Sequence, residues 1–345
     1  MTISEIKYRL YLLSGNIKAV KYVNLILNQI EYGLKINKLT SLPRSLNLEL
    51  NNYCNLKCPS CPTNVNSSKR KKGQMSLLNA RTIFNKIQKK VISVAFGGNG
   101  EITLLPDIGQ YLISAKKSGL VVAAESNFNC DKKIIEQIFS SGLDIINISL
   151  DGATAETYEK YRKGGNFNQV VSNIVYLSQL KRKHAVVKPV IQWQMIVNKY
   201  NESEIGKVKN LYKSLGVNTL RMNLPFIPGG DHYFFKDNKK LVIQLSNEFL
   251  PENKKKYGIR RKKSLLTCYQ PYSELQVLYN GTVIPCCRLR EKNIIIGNLL
   301  SSSLEEIWNN DKFVFFRKQL KSQGKNKSCI KCYQNMVDFN NKRVE

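Results

Sequence analysis

Short apolar strands alternate with amphipathic helices from residue 45 to residue 223, and this alternation limits the folds open to the chain. Apolar, strand-like segments occur at 46–50, 91–96, 120–124, 144–150, 189–197 and 218–223. Helical patterns lie between them, near 76–90, 106–118, 131–141, 168–183 and 201–214. Because strands joined through helices pair in parallel, the pattern predicts an α/β fold whose parallel sheet is open or curved into a partial barrel.

The segments on either side of this alternation have a different character. Residues 1–44 show apolar residues at three-and-four spacing and predict one or two amphipathic helices, either docked on the next domain or lying on a membrane. The core is predicted to span 45–235, followed by a basic linker over 236–263. Residues 264–345 form a small second domain, in which Asn280-Gly281 predicts a hairpin and Ser303 begins a helix running toward Leu320.

Charge is the most unusual feature of the composition. The 345 residues include 54 Lys and Arg against 25 Asp and Glu, a net charge of +29. Such an excess suits nucleic acid or an anionic membrane, but it also suits a solvated surface. No nucleic-acid motif accompanies the basic runs, so we expect no specific nucleic-acid partner. The sequence lacks an apolar stretch of about 20 residues and a secretory signal, so we expect a cytoplasmic protein without a transmembrane segment.

The nine cysteines indicate metal chemistry. Their number is odd and no export signal is seen, which argues against a disulfide framework. Eight of them fall into two groups, one near each end of the chain. Clustered thiols in a reducing compartment favour metal or iron–sulfur ligation.

The first group, Cys54, Cys58 and Cys61, directly follows the first predicted strand. Three thiolates can hold three corners of a four-iron cluster and leave one iron for a substrate or cofactor. Zinc is the alternative, although His184 and His232 are too distant in sequence to complete a tetrahedral site simply.

Further motifs make the core resemble the radical S-adenosylmethionine (radical SAM) superfamily. A glycine-rich run, Gly97 to Glu101, follows the second strand; Ile148 to Gly152 ends the fourth; and Arg162 follows in a Tyr-Arg-Lys-Gly-Gly sequence. The resemblance implies a partial (β/α)6 barrel, a SAM-binding [4Fe-4S] cluster on the three cysteines, and bound S-adenosylmethionine. It implies SAM contacts from Gly98, Gly100, Glu101, Asn127, Ser149, Asp151 and Arg162. Many members carry an aromatic residue where this chain has Ser60, so adenine packing must come partly from elsewhere.

The second group resembles the C-terminal SPASM/Twitch extension of radical SAM proteins. The resemblance implies an auxiliary [4Fe-4S] cluster held by Cys268, Cys286, Cys329 and Cys332, with a four-cysteine zinc site as the competing hypothesis. Cys287 is then a spare, predicted to point away from the cluster. Cys130 stands alone ahead of a helix and is more simply a small apolar residue than a hydrogen-atom donor.

The resemblance implies a reaction but not a substrate. An electron donor such as flavodoxin or ferredoxin reduces the cluster, SAM is cleaved, and the 5′-deoxyadenosyl radical abstracts a substrate hydrogen. We expect an oxidoreductase acting on a sugar-like or other small metabolite, since residues 1–44 look too short for a leader-peptide module. A peptide- or protein-maturing enzyme is the alternative, an RNA-modifying enzyme a weaker one. A binding protein with two structural metal sites is the non-enzymatic possibility.

Overall fold

A computed structural model describes residues 19–65, 71–223, 225, 248–249, 251–252, 268–286 and 294–321. Nine strands form one sheet in the order β6-β5-β4-β3-β2-β1-β7-β8-β9. The strands are β1 (Ser45–Leu48), β2 (Ser93–Phe96), β3 (Val121–Ser126), β4 (Ile145–Ser149), β5 (Val190–Ile196), β6 (Thr219–Asn223), β7 (Glu274–Val277), β8 (Thr282–Ile284) and β9 (Gly297–Asn298). The first seven positions in the sheet pair in parallel, and β8 and β9 add in antiparallel fashion. The predicted α/β class with a parallel sheet is confirmed.

Helices follow the strands as the alternation predicts. They are α1 (Ala19–Gly33), α2 (Pro62–Val65), α3 (Leu77–Ile87), α4 (Ile108–Lys117), α5 (Lys132–Ser140), α6 (Ala155–Tyr161), α7 (Phe167–Lys183), α8 (Ile205–Ser214), α9 (Gln270–Ser273), α10 (Leu304–Asn309) and α11 (Asp311–Lys321). In the part of the chain that the structure covers, no helix is long and apolar enough to cross a bilayer.

The two faces of the parallel sheet differ in polarity. On β4 and β5, Ile146, Ile148, Ile191 and Trp193 are fully buried in the core with the helices. Alternate residues point to the other face because successive side chains of a strand point in opposite directions. That face carries Asn147, Gln192 and Gln194, each half-buried, so the inner surface of the sheet is polar.

Two local details differ from the sequence pattern. The pattern predicts one helix from Ser303 to Leu320, but the chain breaks at Asn310, whose backbone is extended. The Asn310 side chain accepts a hydrogen bond from the Phe313 N–H at 2.9 Å, so it caps the start of α11. The pattern also omits α6, a short helix between β4 and α7.

The C-terminal segment is part of the same sheet as the core. Strand β7 pairs in parallel with β1, with Leu48 opposite Val277. The buried Arg317 of α11 donates to the carbonyl oxygens of Pro271, Asn37 and Trp308 at 2.9–3.1 Å. The N-terminal and C-terminal segments are therefore joined directly. The predicted linker over 236–263 lies almost entirely outside the described residues.

A buried carboxylate joins the starts of two strands. Asp144, just ahead of β4, accepts bonds from Lys116 Nζ at 2.5 Å, Lys188 Nζ at 2.6 Å and the Val122 N–H at 2.8 Å. Burial alone would raise the pKa of Asp144, but these three donors outweigh it and hold the pKa below its ordinary value. The ionised form is therefore the one that the fold stabilises.

We predict that Asp144→Asn lowers the free energy of unfolding by about 1–3 kcal/mol at neutral pH, because it removes a buried charged acceptor. A depressed carboxyl pKa gives stability above the unfolded pKa that is lost as the pH falls through the folded one. The difference from wild type should therefore shrink below pH 3.8, the ordinary value. Urea titrations at several pH values measure this. The control is Asp131→Asn, an exposed position with no side-chain cap bond.

Candidate functional site

The first cysteine loop leaves the sheet at the carboxyl end of β1. Cys54 Sγ accepts from the Leu56 N–H at 3.4 Å and lies 3.6 Å from Asn127 Nδ2. Cys58 Sγ lies 3.9 Å from Nη1 of Arg162. Since Asn127 follows β3 and Arg162 follows α6, two distant segments converge on this loop.

The electrostatics of these thiols suits a cationic group. Burial, together with the nearby Glu101, Cys61 and Cys58, raises the pKa of Cys54 to about 12, although the hydrogen bond from the Leu56 N–H opposes this effect. Burial also raises the pKa of Cys58, although Arg162 opposes this effect. The thiolate charges of Cys54, Cys58 and Cys61 repel one another because the three sulfurs lie near each other. A metal cluster would supply the positive charge that turns such thiols into thiolates.

The assignment of Cys54, Cys58 and Cys61 as cluster ligands is based on the chemistry of their sulfur donors. Within the described ranges, no three His, Cys, Asp or Glu side chains converge tightly enough to enclose a metal ion. Three sulfur donors on one loop nevertheless fit a site-differentiated iron–sulfur cluster.

The glycine run after β2 packs against the end of β1. Gly98 has a φ of +136°, a conformation that residues with side chains rarely adopt. A Cβ on Gly100 would stand 2.2 Å from the backbone oxygen of Asn51. The glycines therefore let this loop approach the cysteine loop closely.

Glu101 ties three loops together. Its Oε1 accepts from Thr103 N at 3.1 Å and from the hydroxyls of Thr103 and Ser126 at 2.7 and 2.6 Å. Its Oε2 accepts from the Asn127 N–H at 2.7 Å. Its own backbone N–H donates to Tyr53 O at 2.9 Å. The carboxylate is thus largely engaged by the protein and fixes the geometry of the loops.

An asparagine-rich turn follows β3. Asn127 Nδ2 donates to Asn55 Oδ1 at 2.8 Å, and Asn127 Oδ1 accepts from the Asn129 N–H at 2.9 Å. Asn129 Nδ2 reaches the Tyr158 hydroxyl at 2.8 Å. Sequence reasoning identified Asn127 but missed Asn55 and Asn129. Their side chains crosslink the loops, and the Asn-Phe-Asn spacing, typical of side-chain-stabilised turns, was the available signal.

Arg162 rests on a buried carboxylate. Arg162 Nε donates to Asp151 Oδ2 at 2.5 Å, while Asp151 Oδ1 accepts from the Ile196 N–H at 2.6 Å. Burial alone would lower the pKa of Arg162, but the Asp151 carboxylate outweighs it and raises that pKa above its ordinary value. Asp151 is fully buried, so water does not screen its carboxylate from Arg162. A permanent positive charge therefore lies beside the cysteine loop.

Ser149 and its neighbours form a polar row on the inner face. Ser149 pairs in register with Gln194, which pairs with Arg221 on β6. Two residues before Ser149 on the same strand, Asn147 lies opposite Glu125 of β3. Glu125 and Arg221 are exposed, so this row borders open space.

An aromatic residue lies beside Ser60. The Ser60 hydroxyl and the Tyr161 hydroxyl are 2.5 Å apart, and the Tyr161 ring packs edge-on against Phe249, with centroids 5.2 Å apart. The aromatic side chain that the sequence lacks at position 60 is thus present from another element.

Only part of the second cysteine group can be located. Cys268 precedes α9 and Cys286 lies two residues after β8, and neither forms a disulfide. Cys287, Cys329 and Cys332 lie outside the described residues. Because β8 ends at Ile284, Cys286 is not on a strand, so the alternation argument for Cys287 has no strand to rest on.

Two family models match the chain. The radical SAM superfamily matches residues 48–211, and an iron–sulfur cluster-binding domain, SPASM, matches residues 268–333. These domains imply a [4Fe-4S] cluster with SAM and auxiliary iron–sulfur binding, as predicted.

Several characterised proteins are similar. An AdoMet-dependent heme synthase of Methanosarcina barkeri is 25% identical over 303 residues, covering 79% of this chain and 84% of that protein. A mycofactocin maturase, MftC, of Mycobacterium ulcerans is 27% identical over 167 residues, covering 48% of this chain and 43% of MftC. Streptococcus suis SuiB bound to its precursor peptide SuiA has a TM-score of 0.63 at 16% identity, covering 88% of this chain and 72% of SuiB. At that identity the likeness to SuiB shows a shared fold.

We predict that Gly100→Ala destabilises the fold by about 1–3 kcal/mol, because the new methyl group must displace the backbone at Asn51. Thermal and urea unfolding measure the change. Gly206→Ala is the matched control, since a Cβ there meets nothing within 4 Å. It should be neutral or slightly stabilising, because alanine favours a helix. Equal stability of the two variants would show that the close approach at Gly100 has no energetic weight.

Proposed function

Because this chain belongs to the radical SAM superfamily and carries a SPASM domain, we propose that it is an enzyme that cleaves SAM reductively at the cysteine loop. The observation that carries the proposal is the convergence of Cys54, Cys58, Asn127 and Arg162 at the carboxyl edge of the sheet. A cluster bound at this loop would supply the electron for reductive cleavage of SAM and hence for hydrogen abstraction from a substrate. Cys54, Cys58 and Cys61 would hold that cluster.

Arg162 is the group that we assign to the SAM carboxylate. Its charge is fixed by Asp151, and its Nη1 lies near Cys58 Sγ, so a carboxylate bound there would stand close to the cluster. Asp151 is then a positioning residue, because its oxygens are occupied by Arg162 and Ile196.

The glycine loop and Glu101 would hold the SAM amine. Gly98 carries no side chain at a φ of +136°, which lets a ligand approach its backbone closely, and the missing side chain of Gly100 lets the loop pack against Asn51. Glu101 keeps the loop after β2 against Ser126 and Asn127. Ser149, on the neighbouring strand end, would contact the ribose.

Burial at this site would exclude water. Cys58 and Tyr161 are both buried, and Tyr161 packs between Ser60 and Phe249. Tyr161 would supply the aromatic surface for adenine. Exclusion of water protects a reactive radical from side reactions.

A small polar metabolite is the substrate class that we favour. The inner face of the sheet carries Glu125, Asn147, Gln192, Gln194 and Arg221, which are donors and acceptors suited to hydroxyl, amine or acid groups. The reaction would be oxidation or another modification of a sugar-like compound. Residues 19–44 support this choice, because Lys21 donates to Gly119 of the core and Asn28 accepts from Tyr269 of the C-terminal segment.

A peptide substrate is the second candidate. The likeness to MftC and to SuiB, which was solved with a precursor peptide, favours it. A screen of metabolites and peptides for substrate-dependent 5′-deoxyadenosine separates the two. Cys268, Cys286, Cys329 and Cys332 would hold an auxiliary [4Fe-4S] cluster. Flavodoxin or ferredoxin would be the electron donor that reduces the cluster on Cys54, Cys58 and Cys61.

We predict that Cys58→Ala abolishes reductive 5′-deoxyadenosine formation, because two thiolates cannot hold the cluster while leaving an iron for SAM. The anaerobically reconstituted variant should keep about half of the iron, since the second cluster remains. Cys130→Ala is the control: this thiol is buried at the apolar core, so cleavage should persist. A Cys58→Ala protein that cleaves SAM at the wild-type rate would end the assignment.

We predict that Asp151→Asn raises the KM for SAM about tenfold or more, because the lost charge frees the Arg162 guanidinium from its fixed position. Iron content should stay unchanged, which separates SAM binding from cluster assembly. Glu156→Gln, on the exposed face of α6, is the matched control and should leave KM unaltered. An unchanged KM in Asp151→Asn would contradict the positioning role.

A further inference from the structure

Helix α1 is amphipathic, but its polar face packs on the protein and its apolar face is exposed. Its buried positions are Lys21, Asn24, Asn28 and Glu31, while most of its aliphatic residues face outward. The exposed stripe consists of Val20, Val23, Ile26, Leu27, Ile30 and the adjoining Leu34, which are 40–69% exposed. Five of these six follow a three-and-four spacing, so they form one continuous line along the helix.

The polar face holds α1 in this orientation. Asn24 exchanges two hydrogen bonds with the backbone of Leu42, at 2.7 and 3.0 Å. Asn28 accepts from the Tyr269 hydroxyl at 2.8 Å, and Glu31 accepts from the Thr40 and Ser41 N–H groups at 2.5 and 3.1 Å. Turning the apolar stripe inward would break all of these bonds and leave buried backbone groups unpaired. The outward stripe is therefore a fixed feature of the fold.

Topology places the stripe at the end of the sheet opposite the cysteine loop. Lys21 Nζ donates to Gly119 O at 3.2 Å, in the turn that leads into β3. Leu42 lies just ahead of β1. Both contacts are at the amino ends of parallel strands, whereas the cysteine and glycine loops leave the carboxyl ends. We call this amino end the basal face; it consists of α1 and the turns at 116–120 and 181–189.

The basal face is also basic. Helices α4 and α7 end there with Lys116-Lys117 and Lys181-Arg182-Lys183. The carboxylate of Asp144 lies buried between Lys116 and Lys188, whereas Lys117, Arg182 and Lys183 are exposed. The 181–189 turn adds two further aliphatic side chains, Val186 and Val187, at 43% and 72% exposure.

We propose that the basal face binds the surface of a membrane containing anionic lipids. Exposed aliphatic side chains flanked by lysine and arginine match the interface of such a bilayer, where apolar groups enter the acyl boundary and cations meet headgroups. A nucleic acid would contact only the basic side chains of this face, so binding to nucleic acid does not explain the exposed apolar stripe. The candidate active site then points away from the lipid, toward substrate in water.

A second copy of the chain fits this face less well. Helix α1 is about 22 Å long. A stable dimer buries about 800 Å² per partner, which six half-exposed aliphatic side chains do not supply. Two chains that each carry +29 also repel. Opposite charge on the lipid removes this obstacle.

The test is sedimentation of the full chain with vesicles of phosphatidylcholine alone or with phosphatidylglycerol added. We expect binding to the mixed vesicles only, weakened by salt as the Debye length falls from about 10 Å at 0.1 M to about 3 Å at 1 M. The triple variant Val23→Gln, Leu27→Gln, Ile30→Gln should bind at least about tenfold more weakly. Leu78→Gln is the control, since Leu78 is 72% exposed at the first turn of α3, at the opposite end of the sheet.

A charge pair of variants completes the test. Lys117→Gln with Lys183→Gln should weaken binding, whereas Lys133→Gln with Lys207→Gln, at the opposite end, should not. The triple variant should unfold at the wild-type temperature, because these side chains are exposed, and should cleave SAM normally. A failure of the membrane inference therefore leaves the proposed function intact. Absent binding to phosphatidylglycerol vesicles would overturn the inference. So would wild-type binding by the triple variant, stripe-dependent dimers, or binding to RNA in place of vesicles.

Discussion

The Glu101 carboxylate is the interaction on which the arrangement of the candidate site depends. It lies at the start of the loop after β2, and it accepts bonds from Ser126 and Asn127 after β3. Its backbone N–H and carbonyl are bonded to Tyr53 and Asn51 beside the cysteine loop. Three loops that parallel strands bring to one edge are thereby fixed in one geometry, and the side chains that would bind SAM inherit their positions from it.

A second constraint separates the two ends of the sheet. The loops at the carboxyl ends carry thiols, glycines and asparagines that bond to one another. The turns at the amino ends carry lysines and arginine, as expected where helices end and their dipoles favour positive charge. The topology thus places the first cysteine loop and this cluster of lysine and arginine at opposite ends of the sheet.

Much of this could be predicted from the sequence. The parallel pairing of the core strands follows from the alternation, and the cysteine spacing with the glycine run indicated the family, because both patterns are local. The bonds of Asp151 to Arg162 and Ile196, and of Glu101 to Ser126, could not be predicted, since these partners are 11, 45 and 25 residues away along the chain. The outward orientation of the apolar stripe of α1 could not be predicted for the same reason. Its periodicity was visible, but burial of its polar stripe depends on Leu42, Ser41 and Tyr269.

Strand β1 is bonded on both sides, to β2 and to β7, and has no open edge. The chain runs six residues from this strand to Cys54, and from β7 through one hairpin to Cys286. Cys54 and Cys286 are therefore both attached to one hydrogen-bonded sheet, Cys54 beyond the carboxyl end of β1 and Cys286 beside the amino end of β7. Backbone amides of β1 should exchange with deuterium among the slowest in the protein.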